Sequence, residues 1–319
     1  MKIAGKKLLM IARVLLGASL FWLVASKTDG WNLAFPLLSS PGILLAVIAF
    51  SLVGAFVEAL RLTTLLRAQA VSVAFGDAAR LVTAAFALNV CIPGGATGDL
   101  SKLFYLRGAH SGKGWELATA IFVDRLVGLL SMLLLVTLLG AACWPLVHDS
   151  PAIWTLFFVA AAMIAVILIF VALCLSTAPS LRRGFARTLH ALPLRRHLER
   201  IAESFFRYGD HKSALLRALL LSFAGNLAGA AVFTALGWSL YPRSPFPVPA
   251  FLSMLGMFAN TVTITPGGLG VGEAAFDLLF AQAGLQGGAA IMIIWRVGML
   301  PLCLLGLGFY MAGLRPKAA

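Results

Sequence analysis

At 319 residues, with 61% hydrophobic content, 12% charged residues and a mean hydropathy of +0.95, the chain lies far from soluble domains, which are about 45–50% apolar and about 25% charged. That composition excludes a soluble enzyme, a disordered chain and a secreted disulfide scaffold, and leaves an all-α polytopic membrane protein. The formal charge of +13 sits in short loops between apolar runs, as in the cytoplasmic loops of membrane proteins, so no nucleic-acid partner is expected.

A bilayer-crossing helix needs about 20 mainly apolar residues, and six runs qualify. The first, 8–26, follows Lys2, Lys6 and Lys7 and ends in Val24-Ala25-Ser26 like a secretory signal, but Arg13 interrupts it. It reads as an uncleaved span whose Arg13 snorkels to the cytoplasmic surface. The second is 42–60, with Glu58 and Arg61 expected as an interfacial pair at its cytoplasmic end. Then comes a shorter stretch, 81–93, which runs into Gly94-Gly95 and on to Asp99, Lys102 and Arg107. Spans 116–143 and 152–175 follow, and after them a basic loop, 176–213, carrying Arg182, Arg183, Arg187, Arg195, Arg196 and Arg200. That loop is expected to lie on the anionic inner leaflet as an interfacial helix that gathers anionic lipids. Beyond span 214–240, a second short stretch, 249–265, breaks at Pro266-Gly267-Gly268-Leu269-Gly270-Val271-Gly272 before Glu273, and 289–313 is the last span.

Charge decides how the two broken stretches run. If 81–93 crossed the membrane, Arg61, Arg67 and Arg80 would lie opposite Lys102, Arg107 and Lys113. The positive-inside rule is better met by a re-entrant hairpin over 80–107 entering from the cytoplasm, and by a second over 249–284 entering from outside. Of the 25 basic residues, 20 then lie inside, with only Lys27 and Arg243 outside and Arg13, Arg125 and Arg296 within spans. Both termini are expected in the cytoplasm.

The halves 1–143 and 144–319 each read as span, span, hairpin, span, the second inverted. "NVCIPGGATGD" from Asn89 echoes "NTVTITPGGLGVGE" from Asn260, and Asp124-Arg125-Leu126-Val127-Gly128 echoes Trp295-Arg296-Val297-Gly298. Inverted repeats with broken helices are the architecture of many secondary transporters, with the substrate near the bilayer midplane.

Pro93 and Pro266 each remove a backbone donor, and the glycines that follow allow positive φ and close approach. The peptide units following Gly95 and Gly268 are placed to bind an anion at the start of a returning half-helix, and Gly94, Gly267, Gly270, Asn89 and Asn260 join them as candidate substrate-binding residues. Alternatively, the glycines only let the breaks pack tightly. Arg125 and Arg296 lie deep in their spans, where an unpaired charge costs at least about 2.5 kcal/mol. Asp99, Asp124, Glu273 and Asp277 are the available partners. Two uses fit the arginines: ion pairs through Asp99 and Glu273 that tie hairpin to span, or guanidinium forks that hold a lipid phosphate. A free acid would also serve proton coupling. Cys91, Cys143, Cys174 and Cys303 read as buried free thiols. His110, His148, His190, His197 and His211 fall in loops without metal-ligand spacing, so neither metal nor cofactor is expected.

"NVCIPGGATGD", "FVDRLVG" and "ITPGGLGVGEAAF" together resemble the lysylphosphatidylglycerol synthase transmembrane-region family, which includes the flippase half of aminoacyl-phosphatidylglycerol synthases. The resemblance implies a bacterial-type inner-membrane protein that moves lipid between leaflets, with membrane lipids as partners. It assigns motif positions to Pro93, Gly94, Gly95, Asp99, Arg125, Pro266, Gly267, Gly268, Gly270 and Glu273. This chain departs from the family pattern at Lys102, often arginine there, and at Asp124, often glutamate. The soluble aminoacyl-transfer domain is absent from the sequence, so lysyl-lipid synthesis is not inherited. Two other classes stay open: a membrane enzyme acting on lipid-linked phosphate or sugar, and a small-anion or amino-acid transporter. Against an enzyme, no histidine nucleophile or paired carboxylates stand in a loop.

Overall fold

The computed structural model describes residues 19, 21–22, 30–92, 97–175, 195–261 and 265–314. The expected first span, 8–26, falls almost wholly outside them, as do Pro93, Gly94 and Gly95 and most of the basic loop. Every regular element among the described residues is helical. A short α1 (Gly30–Leu38) leads into α2 (Pro41–Ala68), whose proline occupies the first turn, where a missing N–H costs no hydrogen bond. The first broken stretch is α3 (Phe75–Cys91) and α4 (Thr97–Ala109), followed by α5 (Gly114–Ala142), a short α6 (Trp144–Asp149) and α7 (Pro151–Leu175). After α8 (Arg195–Asp210) and α9 (Lys212–Leu240), the second broken stretch is α10 (Pro247–Asn260), a 3-10 turn (Pro266–Gly268) and α11 (Val271–Gln282). The chain then forms α12 (Gly288–Met311).

Helices α2, α5, α7, α9 and α12 are each long and apolar enough to cross a bilayer, and they match five of the six expected spans. Three expectations change. Helix α2 continues past residue 60 to Ala68, so Glu58 and Arg61 lie within the helix rather than at its end, and they do not pair with each other. The histidines are also less loop-bound than expected, since His148 lies in α6 and His197 in α8. Cys143 and Cys303 are buried, whereas Cys91 is exposed. No group of three potential metal ligands occurs among the described residues.

The broken stretches adopt the expected helix, break, helix form. In each, the two helices pack together: α3 on α4, and α10 on α11. Glycine makes both contacts close. A Cβ at Gly98 would overlap the Ala85 carbonyl oxygen of α3, and one at Gly256 would stand 2.7 Å from the Phe276 ring of α11. The returning helices α4 and α11 pack on the spans that follow them, α5 and α12. Across the halves, α3 packs on α12 and α10 on α5, while α2 and α9 pack on each other. Phe233, Phe251, Phe276, Phe280 and Trp295 fill the core where α9 to α12 converge.

At the α3–α12 crossing, a Cβ on Gly306 would collide with the Thr83 carbonyl oxygen, whereas Gly308, half a turn away, faces open space. Gly306→Val should therefore destabilise the fold by roughly 1–3 kcal/mol through overpacking. In detergent thermal melts the midpoint should fall, and that of Gly308→Val should stay near wild type. Equal midpoints would contradict the crossing.

Helix α8 is strongly amphipathic, as expected for part of the basic segment. Its inner face is fastened to the end of α2. The buried Tyr208 hydroxyl donates to the Leu65 carbonyl at 3.2 Å, and Gln69 Nε2 donates to the Ser204 carbonyl at 2.8 Å. Burial pushes the Tyr208 hydroxyl above the ordinary tyrosine range, so it stays a neutral donor at physiological pH.

Candidate functional site

Each break is spanned by an asparagine, a glycine and an acid. At the first, Asn89 near the end of α3 accepts a hydrogen bond from the Gly98 N–H at 2.7 Å, joining the two helices across residues 93–96. Asp99, in the first turn of α4, binds Arg125 Nε on α5. At the second, the Asn260 side chain lies against Gly272, where a Cβ would be 2.8 Å from its Oδ1. Glu273, the next residue, binds Arg296 Nε on α12. The pairings expected from sequence, Asp99 with Arg125 and Glu273 with Arg296, both form, so α4 is tied to α5 and α11 to α12 by charge.

The second break closes on itself. Gly267, Gly268 and Gly270 take φ of 54°, 71° and 79°, values that an L-residue adopts only at a steric cost. Their turn directs two carbonyls at one guanidinium: Arg296 Nη1 donates to Gly267 O and Nη2 to Gly268 O, each at 2.7 Å. The amides expected to face an anion are already used in this conformation. Gly268 N–H donates to Thr265 O at 3.1 Å, Leu269 N–H to Pro266 O at 3.0 Å and Gly270 N–H to Glu273 Oε2 at 2.8 Å. The anion at the start of α11 is thus Glu273 itself, which caps its own helix from the third position. Gly94 and Gly95 lie outside the described residues.

The first half adds charge that sequence reading missed. Arg61 grips Asp124 with both ends of its fork, Nε to Oδ1 at 2.6 Å and Nη2 to Oδ2 at 3.0 Å, and its Nη1 donates to Ser222 on α9 at 2.9 Å. Asp124 therefore belongs to Arg61 and not to the motif arginines. Lys102, expected in a cytoplasmic loop, is buried and bridges Glu58 at 2.7 Å and Asp99 at 3.6 Å. Two charge groups so join these helices: Glu58, Lys102, Asp99 and Arg125 tie α2, α4 and α5, and Arg61 with Asp124 ties α2 to α5, with Ser222 of α9 on the same guanidinium. Their clue in the sequence was Glu58 and Arg61 three residues apart in a helix that nothing after Leu60 terminates. At the second break the ion pair among the described residues is Glu273 with Arg296. Asp277, one turn beyond Glu273 on α11, makes no ion pair with Arg296.

The second break meets the end of α3. A Cβ at Gly267 would stand 3.3 Å from the Val90 carbonyl oxygen near the end of α3. Beside this contact lies a cavity of about 450 Å³, walled by apolar side chains that include Phe86, Met292 and Leu300. Arg296 and Asn260 are the polar side chains on its lining. Asn260 Oδ1 is buried and has no hydrogen-bond partner among the described residues. Arg125 is the more accessible motif arginine, its side chain 50% exposed against 20% for Arg296. An apolar chamber with a few converging polar atoms suits an amphiphile.

No curated protein matches the chain. The family described as "Lysylphosphatidylglycerol synthase TM region" matches residues 10–306, and the match is to the membrane region rather than to a synthase domain. From Asn89 to Arg296 the motif geometry lies inside that match, and the chain belongs to the lysylphosphatidylglycerol synthase TM region family.

Proposed function

We propose that the protein is a lipid transporter, a flippase that carries a polar or anionic head-group lipid between the leaflets of a bacterial-type inner membrane. The reading rests on one observation above all: the Pro266-Gly267-Gly268 break touches the end of α3 at Val90, beside an apolar cavity that carries Arg296 and an Asn260 oxygen with no hydrogen-bond partner among the described residues. A buried acceptor without a donor loses about 1–3 kcal/mol of solvation, which a hydroxyl or ammonium of an entering head group restores. Acyl chains stay in the bilayer while the head group occupies the chamber.

In this reading the chain has six spans and two re-entrant hairpins arranged as an inverted repeat, 1–143 and 144–319, with both termini cytoplasmic. The reciprocal packing supports it: α3 on α12 mirrors α10 on α5, and α4 on α5 mirrors α11 on α12. Rocking of one half against the other parts the breaks and exposes the chamber to alternate sides. The Asp99–Arg125 and Glu273–Arg296 pairs hold each hairpin to its span during that movement. Release of either acid would expose guanidinium N–H groups to a lipid phosphate, and the same acids are the groups available for proton coupling.

The test fills the chamber without touching a charge. In proteoliposomes with fluorescent lipids of different head groups, Met292→Trp should slow translocation at least tenfold for the transported lipid. Leu278→Trp, on the exposed face of α11, should translocate at the wild-type rate. Wild-type translocation in a well-folded Met292→Trp protein would remove the chamber from the path. Transport of a free anion by the wild type, with no lipid movement, would favour a small-anion carrier.

A further inference from the structure

A second cavity, of about 230 Å³, lies between α5, α7 and α9 and is closed at one end by α8. It shares no lining residue with the chamber at the breaks, so its fate and that of the transport reading are separable. Apart from Tyr208 and Lys212, every lining side chain is valine, leucine, isoleucine or phenylalanine. Tyr208 has already given its hydroxyl to Leu65 O and presents its ring. Such a wall offers nothing to hold water or a polar solute.

Its shape and its mouth are more specific. The lining runs along helix axes, from Lys212 to Leu219 on α9 and from Leu175 to Ile167 on α7, which at 1.5 Å per residue is roughly 10–12 Å of slot parallel to the spans. Phe122 of α5, Phe170 of α7 and Phe205 of α8 meet edge to face, with centroids 5.4–6.1 Å apart, and fasten α5, α7 and α8 to one another. At the mouth stands the exposed Lys212. Helix α8 and the first turns of α9 carry Arg195, Arg196, Arg200, Arg207, Lys212 and Arg217 against three acids, Glu199, Glu203 and Asp210.

We propose that this slot is a lipid site that holds one acyl chain of an anionic phospholipid, with Lys212 at its phosphate. An acyl chain lying in the slot runs parallel to the spans, as it does in the bilayer. The Lys212 ammonium and the excess of basic over acidic residues along α8 and the start of α9 select for negative charge. The lipid so held is a resident that docks α8 against the spans, rather than cargo.

Photo-crosslinking tests it, with the full chain in phosphatidylcholine nanodiscs. Trace probes carry a diazirine on one acyl chain and either a phosphatidylserine or a phosphatidylcholine head group. The phosphatidylserine probe should label the segments around Val171 and Leu216 at least fivefold more than the phosphatidylcholine probe, and unlabelled phosphatidylserine should displace it. Lys212→Glu, a change at an exposed position, should bring that labelling down to the phosphatidylcholine level. Leu216→Trp should block the slot to both probes, and Leu220→Trp, which does not line it, should block neither. Equal labelling by the two probes, or full phosphatidylserine labelling in Lys212→Glu, would overturn the proposal whatever the tryptophan variants do.

Discussion

Asp124→Ala should unfold most of the protein or lower its thermal midpoint in detergent more than any other single charge removal. The Asp124 side chain is 2% exposed and its partner Arg61 is 13% exposed, held by a two-point fork and by Ser222. Removing the carboxylate leaves a buried guanidinium without its counter-charge, a loss of about 3–5 kcal/mol against a typical total stability of about 5–15 kcal/mol. Replacing both partners is a different experiment. Arg61→Leu with Asp124→Leu removes the stranded charge, so the double variant should recover much of the midpoint that Asp124→Ala loses. Glu58→Ala should cost less, since its side chain remains partly exposed and Lys102 keeps Asp99 within reach. An Asp124→Ala protein that melts with wild type would show that Arg61 finds water or another acid.

Five of the spans were legible because bilayer thickness sets helix length and lipid tolerates few charges. The breaks were legible because proline and clustered glycine interrupt an apolar run in only a few ways. The pairing of Asp99 with Arg125 and of Glu273 with Arg296 was also within reach, since deep arginines need acids and few acids are present. What sequence reading missed has a common cause. It ended the second span at its first charges, so Glu58 and Arg61 became an interfacial pair and Lys102 a loop cation. The structure instead extends α2 to Ala68 and buries Lys102 to 4% side-chain exposure. Charges that satisfy one another across α2, α4 and α5 do not mark a membrane boundary, and a one-dimensional pattern does not show which charges will meet. The closed second break is a separate lesson. Gly270 and Glu273 stand at the spacing of a helix cap, so the nearest carboxylate takes the amide before any outside anion arrives.

Locking the second break to α3 should abolish transport, the larger functional effect expected of this protein. Transport as proposed needs Val90 and Gly267 to part. In this conformation a Cβ at Gly267 would lie 3.4 Å from Val90 Cα, close enough for a disulfide to form without moving either helix far. A side chain at the Gly267 φ of 54° costs about 1–2 kcal/mol, so the reduced double variant, and not the wild type, is the reference. The measurement is lipid translocation in proteoliposomes by Val90→Cys with Gly267→Cys, made in a chain whose four natural cysteines are replaced. Oxidation should cut the rate at least tenfold and reduction should restore it, with each single cysteine variant insensitive to both treatments. Translocation that continues at the reduced rate while the crosslink is fully formed would contradict the claim that lipid passes where the second break meets α3.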